Sequence, residues 1–314
     1  MRCVLVGNYG AKNLGDELLR RYFVEVFPEI SWVVLVAHPE EQGANARLPL
    51  GLRSFLSFRW VKTLWAMRQC DAVVFGGGSL FTDIESLRAC VLWFLHAAIA
   101  RVLRKPIIFA FQGIGPFRTH LGELLAKKSY AWGGFISVRD TSSFARVQAW
   151  KLNIKIVQSF DPVFSLYIKE NINSRTKNVI TIIPRKNSDA RFLDAVSKAC
   201  REHPAAPLQI ALLEPEAEQG IVSRLREHCS VRSAVIPCTT LQELFQAIGG
   251  SRLLITQRYH AALAAAALGV PFLVVPQGEG DKLQSLPEGA SRETLLGLVK
   301  NGEVGLREKL RVLG

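Results

Sequence analysis

Short, uninterrupted apolar runs recur along this chain, each followed by a glycine-rich or polar turn and then by a stretch with helical spacing. That order marks βαβ units around a parallel sheet, because parallel neighbours need a crossover and a helix commonly supplies it. In the first half the runs are 4–6, 32–36, 72–75, 107–111 and 135–138; in the second they are 179–183, 208–213, 234–236, 253–255 and 272–275. They are apolar throughout rather than alternating, which suits strands covered on both faces. Helices are expected over 190–200, 220–228, 241–248 and 259–268. A length of 314 residues predicts two domains at roughly 100–200 residues each. The chain between Tyr167 and Asn178 is polar and aperiodic and reads as linker at 169–176, so the expected domains are 1–168 and 177–314, both doubly wound α/β. Ligands of such sheets bind at the carboxyl ends of the strands, and the expected site is where the loops of the two domains face one another.

Hydrophobic residues make up 49% and charged residues 21% of the chain, which excludes a disordered or collagen-like protein. The six cysteines (Cys3, Cys70, Cys90, Cys200, Cys229, Cys238) form no C-x-x-C pair and no metal-ligand spacing, so reduced thiols in the cytoplasm and no metal are expected. The apolar run after Met1 is too short for a signal peptide, and 261–278 is broken by Gly269-Val-Pro271, so no membrane span is expected. The formal net charge of +12 predicts an anionic partner. Residues 1–160 hold 20 Lys+Arg against 11 Asp+Glu and residues 161–314 hold 19 against 16, which places most of the basic excess in the first half. With the bases scattered and no recognition motif, nucleic acid is not an expected partner.

Several strand ends carry groups suited to chemistry. Phe75-Gly-Gly-Gly-Ser79 leads to Asp83, and bare glycine backbone there would let N–H groups approach anionic oxygens. The competing structural reading makes Ser79 a helix cap and Asp83 a solvated helix residue. Gly7 to Glu17 departs from G-x-G-x-x-G, so a dinucleotide site is not indicated. Its Lys12, Asn13, Asp16 and Glu17 suit sugar hydroxyls, or the capping and solvation of a helix start, which each taken alone fits better. Gln112-Gly113 opens a third such turn, while Arg139 with Asp140 or Asp161 reads as a structural ion pair. In the second half, Arg258 and His260 stand where a strand meets an Ala-rich helix, a place suited to an anion. Arg185 and Lys282 occupy equivalent loop positions after other strands.

In order, GNYGAKNLGDE (7–17), FGGGSLFTD (75–83), FQGIGP (111–116), SVRD (137–140), DPVF (161–164) and ITQRYHAALAAAALGVP (255–271) resemble the polysaccharide pyruvyl transferase family, its bacterial cell-wall members most. The resemblance spans nearly the whole chain. It implies two Rossmann-like domains in a glycosyltransferase-B-like arrangement, with transfer of a pyruvyl group from phosphoenolpyruvate, the co-substrate, to sugar hydroxyls; no cofactor is implied. By motif, Arg258 and His260 match the family's R-x-H element and Arg185 its arginine after the first strand of the second domain. Gln257 and Tyr259 stand where Met and Leu are frequent. On this reading His260 is the general acid, Arg258 and Arg185 hold the donor's phosphate and carboxylate, and Lys282 is a further donor-binding residue. The acceptor, a nucleotide- or lipid-linked sugar, falls to the first domain, to Asn13, Asp16, Glu17, Gly77, Gly78, Ser79, Asp83, Gln112 and Gly113.

Two other readings use the same features. A nucleotide-sugar-dependent glycosyltransferase would place its diphosphate on Arg258 and the helix N-terminus, and a glycan-binding protein would need no chemistry at all. Residues 53–68 alternate Arg53, Arg59, Lys62 and Arg68 with Phe and Trp, which suits either peripheral contact with an anionic membrane or an amphipathic helix that covers the sheet.

Overall fold

The computed structural model describes residues 1–11, 13–38, 45–50, 52–84, 86–169, 178–229, 233–278, 281–286 and 290–314. Lys12, residues 170–176 of the expected linker and the side chain of Arg53 lie outside the described residues. The chain divides into two compact units, Met1–Val163 with Glu293–Gly314 and Phe164–Arg292.

Unit 1 is built on a seven-stranded sheet: β1 (Arg2–Val6), β2 (Ser31–Val36), β3 (Asn45–Ala46), β4 (Ala72–Phe81), β5 (Ile107–Ile114), β6 (Gly133–Val138) and β7 (Ile156–Gln158). The order is β3-β2-β1-β4-β5-β6-β7 and every pairing is parallel. Helices α1 (Leu14–Val26), α2 (Leu52–Leu56), α3 (Trp60–Gln69), α4 (Leu87–Val102), α5 (His120–Ala131) and α6 (Thr141–Ala149) connect the strands, and α7 (Val163–Lys169) leads into unit 2. The strands are apolar on both sides because both are covered: Val4, Val73, Phe75 and Phe109 pack with Met67, Trp93, Ala97 and Tyr130, while Phe23 and Tyr22 stack edge-on with Phe111.

Unit 2 carries β8 (Val179–Ile183), β9 (Leu208–Leu212), β10 (Ser233–Pro237), β11 (Ser251–Thr256) and β12 (Phe272–Val274), parallel in the order β10-β9-β8-β11-β12. Its helices are α8 (Ala190–Glu202), α9 (Pro215–Cys229), α10 (Leu241–Gly249) and α11 (Tyr259–Leu268). In α8, Phe192, Leu193, Val196 and Ala199 repeat at helical spacing and form the buried face. Starts are set by side chains that satisfy first-turn N–H groups: Asp189 caps α8 and Thr240 with Glu243 forms a capping box on α10. Gly269, at φ 70°, ends α11 in the left-handed region two residues before Pro271.

The apolar runs all became strands, and the short β3 and β7 were not marked by any run. Glycine stretches read as turns are strand instead: β4 continues through Gly76, Gly77 and Gly78 to Phe81, and α4 starts only at Leu87, with Ser86 rather than Ser79 as its cap. The last helix, α12 (Arg292–Leu313), is also placed differently from the expected boundary at 314, because Glu293–Gly314 belongs with unit 1. There Tyr22 donates to Glu303 Oε1 at 2.7 Å and the Arg307 guanidinium lies 4.4 Å from the Phe27 ring centroid.

Candidate functional site

Strand order reverses in unit 2 between β8 and β11, and at such a switch point the two flanking loops diverge and leave a crevice. Thr256 closes the end of β11 onto its neighbour, its hydroxyl donating to Ile183 O at 2.9 Å and accepting from Arg258 N at 2.9 Å. Arg258 is thereby fixed as the residue that opens α11, and His260 stands in the first turn of that helix. The Arg258 guanidinium donates through Nε to Pro184 O at 3.2 Å, through Nη1 to Glu214 Oε1 at 2.9 Å and through Nη2 to Glu218 Oε1. Glu218 is fully buried and its second oxygen accepts from Glu214 N at 2.9 Å, so the carboxylate both braces the start of α9 and sets the arginine rotamer.

Across the switch point, Arg185 follows β8. Its N–H donates to Ser188 Oγ at 2.9 Å, Ser188 in turn donates to Gln257 Oε1 at 2.6 Å, and its guanidinium donates to Gln277 Oε1 at 3.0 Å. Gln257 is 2% exposed, and this hydrogen bond ties the Arg185 loop to the end of β11. Gln277 N donates to Asp281, next to Lys282, whose ammonium lies 5.6 Å from the centroid of the Tyr259 ring. That ring meets His260 edge-on at 5.5 Å. Arg185, Arg258, His260 and Lys282 are thus joined through short chains of contacts around one pair of strand ends. Glu214, Glu218, Ser188 and Gln277 were not anticipated. Glu214 and Glu218 lie ahead of the helix expected over 220–228, whereas α9 begins at Pro215 and so places both at its start.

In unit 1 the switch point lies between β1 and β4. Asn13 caps α1, its side chain accepting from Gly15 N at 3.0 Å. Asp16 accepts from Asn8 Nδ2 at 2.8 Å, and Glu17 accepts from Gly10 N at 2.6 Å and pairs with Arg20. Gly77 and Gly78 have φ near 80°, and a Cβ on Gly77 would stand 2.7 Å from Leu19, so these glycines let α1 lie close against β4. Ser79 Oγ accepts from Arg139 Nη2 at 3.0 Å, and Arg139, 2% exposed, is ion-paired with the fully buried Asp161. Gly113 leaves room for this arrangement, since a Cβ there would lie 2.7 Å from Ser79 Oγ and 3.0 Å from Arg139 Nε.

Two of the acceptor candidates are engaged in the interior. Gln112 is fully buried, its amide donating to Phe75 O and Ala110 O at 3.0 Å each. Asp83 is buried rather than solvated and accepts from Thr119 Oγ1 and from the N–H groups of Arg118 and Thr119. Burial raises its pKa, but those hydrogen bonds outweigh burial and hold it below the ordinary value. Arg47, also not anticipated, donates to Tyr9 O at 2.7 Å and faces the Trp93 ring; burial pushes its pKa down to about 10 against the pull of Asp16. Among the described residues, no group of three or more His, Cys, Asp or Glu side chains is placed to hold a metal ion.

The sequence profile of the polysaccharide pyruvyl transferase family matches residues 13–278. A search against curated proteins finds no match. The fold is similar to that of solved structures at low identity. UDP-GlcNAc 2-epimerase from Methanocaldococcus jannaschii superposes with a TM-score of 0.62 at 11% identity, over 99% of this chain and 100% of that one. Anabaena HepE in complex with UDP-glucose gives 0.58 at 11%, over 100% and 92%. UDP-GlcNAc 2-epimerase from Neisseria meningitidis bound to UDP-GlcNAc gives 0.57 at 12%, over 100% and 93%. The fold is therefore α/β, two Rossmann-like units as in glycosyltransferase-B-like epimerases.

Proposed function

Because the chain belongs to the polysaccharide pyruvyl transferase family, we propose that it transfers a pyruvyl group from phosphoenolpyruvate to two hydroxyls of a sugar in a cell-wall or surface polysaccharide precursor, releasing phosphate. The observation that carries this reading is the grouping of Arg258, His260 and Arg185 at the ends of β8 and β11. Phosphoenolpyruvate carries a carboxylate and a phosphate on one small carbon frame, and arginine forks beside a helix N-terminus suit both. His260 gives a proton to the methylene carbon, which leaves an oxocarbenium-like C2. One sugar hydroxyl bonds to C2, the bond from C2 to the phosphate oxygen breaks, and a second hydroxyl closes the cyclic ketal. Of the two hydroxyl protons, one restores His260 and the other leaves on phosphate, so the exchange balances. The acceptor falls to unit 1, where Asn13, Asp16, Glu17, the Gly77-Gly78 backbone, Ser79 and Gly113 line strand ends. Gln112 and Asp83 are buried and hydrogen-bonded within unit 1.

A second reading has its own support. The Glu214 carboxylate beside Arg258 is about one-third exposed, and a carboxylate there accepts hydrogen bonds from ribose hydroxyls, which a nucleotide sugar has and phosphoenolpyruvate lacks. The test is phosphate release from phosphoenolpyruvate in the presence of free, nucleotide-linked and lipid-linked sugars. Acceptor-dependent release should fall at least ~100-fold in His260→Ala and in Arg258→Ala. Thermal stabilisation by UDP but not by phosphoenolpyruvate, with no release from any acceptor, would move the assignment to nucleotide-sugar transfer.

A further inference from the structure

The segment from α2 to the end of α3 packs Trp60, Leu64 and Met67 against the core, yet carries more large apolar side chains than a helix that merely covers a sheet needs. The buried side of α3 is made by Thr63, Ala66 and Met67. Phe55, Leu56, Phe58, Val61 and Trp65 are between 47% and 62% exposed. Along α3, Val61, Trp65 and Arg68 follow one another at helical spacing on the outward face, with Lys62 beside them. The turn joining the helices is ordered by contacts of its own: Trp60 Nε1 donates to Phe55 O at 2.8 Å and the two rings stack at 5.3 Å. Phe58 sits at the tip with φ 53°, in the left-handed region that a bulky residue rarely adopts.

Within this segment the charge has one sign. From residue 42 to residue 70 there are five Lys or Arg and no Asp or Glu, and Arg59, Lys62 and Arg68 are exposed. A second copy of the chain would set these like charges against one another, and a nucleic acid would leave the apolar side chains in water. A bilayer with anionic headgroups meets both demands, because aromatic rings enter the headgroup boundary while lysine and arginine remain at the charged surface. We propose that residues 55–68 dock the protein on an anionic lipid membrane. The proposal does not rest on the transfer chemistry and is tested without any donor or acceptor.

The full-length protein is co-sedimented with phosphatidylcholine vesicles, with and without phosphatidylglycerol, at low and high salt. Binding is expected only with the anionic lipid and should weaken as salt rises. Arg59→Glu with Lys62→Glu and Arg68→Glu should lower partitioning on the order of a hundredfold, at about fivefold or more per base. Phe58→Ser with Trp65→Ser should lower it about tenfold or more. As a check that needs no multiple variant, brominated lipid should quench the tryptophan fluorescence of the wild-type protein, and quench Trp65→Phe less. Failure to bind anionic vesicles, equal binding by the variants, or dimerisation of the wild type that Phe58→Ser and Trp65→Ser abolish would overturn the proposal.

Discussion

His96 lies on α4 with no exposed surface, and both its ring nitrogens are used: Nδ1–H donates to Leu92 O at 2.8 Å and Nε2 accepts from Leu48 N at 3.1 Å. This arrangement needs the neutral ring, since a proton on Nε2 would remove the acceptor for Leu48 and add a charge near Arg47. Burial is the main cause that pushes its pKa from 6.5 down to about 4, with Arg47 acting in the same direction and the Leu92 carbonyl opposing. A histidine whose folded pKa is lowered contributes stability that is complete above about pH 6.5 and is lost as the pH falls towards 4. By pH 4.5 the loss should be about 2–3 kcal/mol. Urea unfolding at pH 7.0 and pH 4.5 should show that loss in the wild type and little of it in His96→Gln, whose amide offers a donor and an acceptor without titrating. Equal losses in both proteins would place the acid sensitivity elsewhere. Asp83, with its pKa below 3.8, acts in a separate and more acidic window.

At the scale of elements, α12 provides a controlled comparison, because two of its glycines have opposite surroundings. Around Gly297 a Cβ would meet nothing within 4 Å, whereas at Gly302 it would lie 2.4 Å from Phe111 Cε1 and 2.9 Å from Ser159 Cβ. Gly297→Ala should therefore raise stability by about 0.5–1 kcal/mol through helix propensity alone. Gly302→Ala gains the same propensity but drives a methyl into the sheet, and should lower stability by about 1–3 kcal/mol. Thermal unfolding of both variants decides the matter, and the same sign for the two would contradict this packing. Such closeness also marks what the sequence could and could not convey. Continuous runs such as 179–183 announce their strands because burial on both faces dictates their composition. The junction that carries Arg258 and His260 was legible as a junction, because the apolar run at 253–255 passes there into an Ala-rich helical stretch. The part played by Glu218 was not legible, since Glu218 lies ahead of the helix expected over 220–228 and its bond to Arg258 crosses 40 residues of sequence. The glycines at 76–78 were read as a turn because sequence reports their conformational freedom but not the close approach of Leu5, Tyr9 and Phe23 to Gly76 and of Leu19 to Gly77.

For the molecule as a whole, the decisive feature is that unit 2 is an insertion: the chain leaves unit 1 at Val163 and returns at Glu293. The returning helix α12 buries Leu295, Val299, Leu306 and Leu310 along one face. At about 1.5–3 kcal/mol per buried aliphatic side chain, their removal costs on the order of 6–12 kcal/mol, comparable to the whole stability of a typical domain. The loss would also leave the buried Tyr22 hydroxyl without Glu303, and Val26 O and Glu29 without Arg307. Unit 2 has a core of its own, in which Ile180, Ile182, Phe192, Val196, Ile210 and Ile255 pack together, and no residue of that cluster comes from α12. Truncation after Arg292 should therefore unfold unit 1 while unit 2 persists, although the deletion begins at the edge of unit 2 in the sequence. Amide hydrogen exchange distinguishes the outcomes: β1, β4 and β5 should lose protection in the truncated chain, and β8 and β11 should retain it. Protection kept in β1 would mean that α12 is dispensable to unit 1. Its loss from β8 and β11 as well would mean that the two units fold as one cooperative body, so that no assay on the truncated chain could assign a ligand to either.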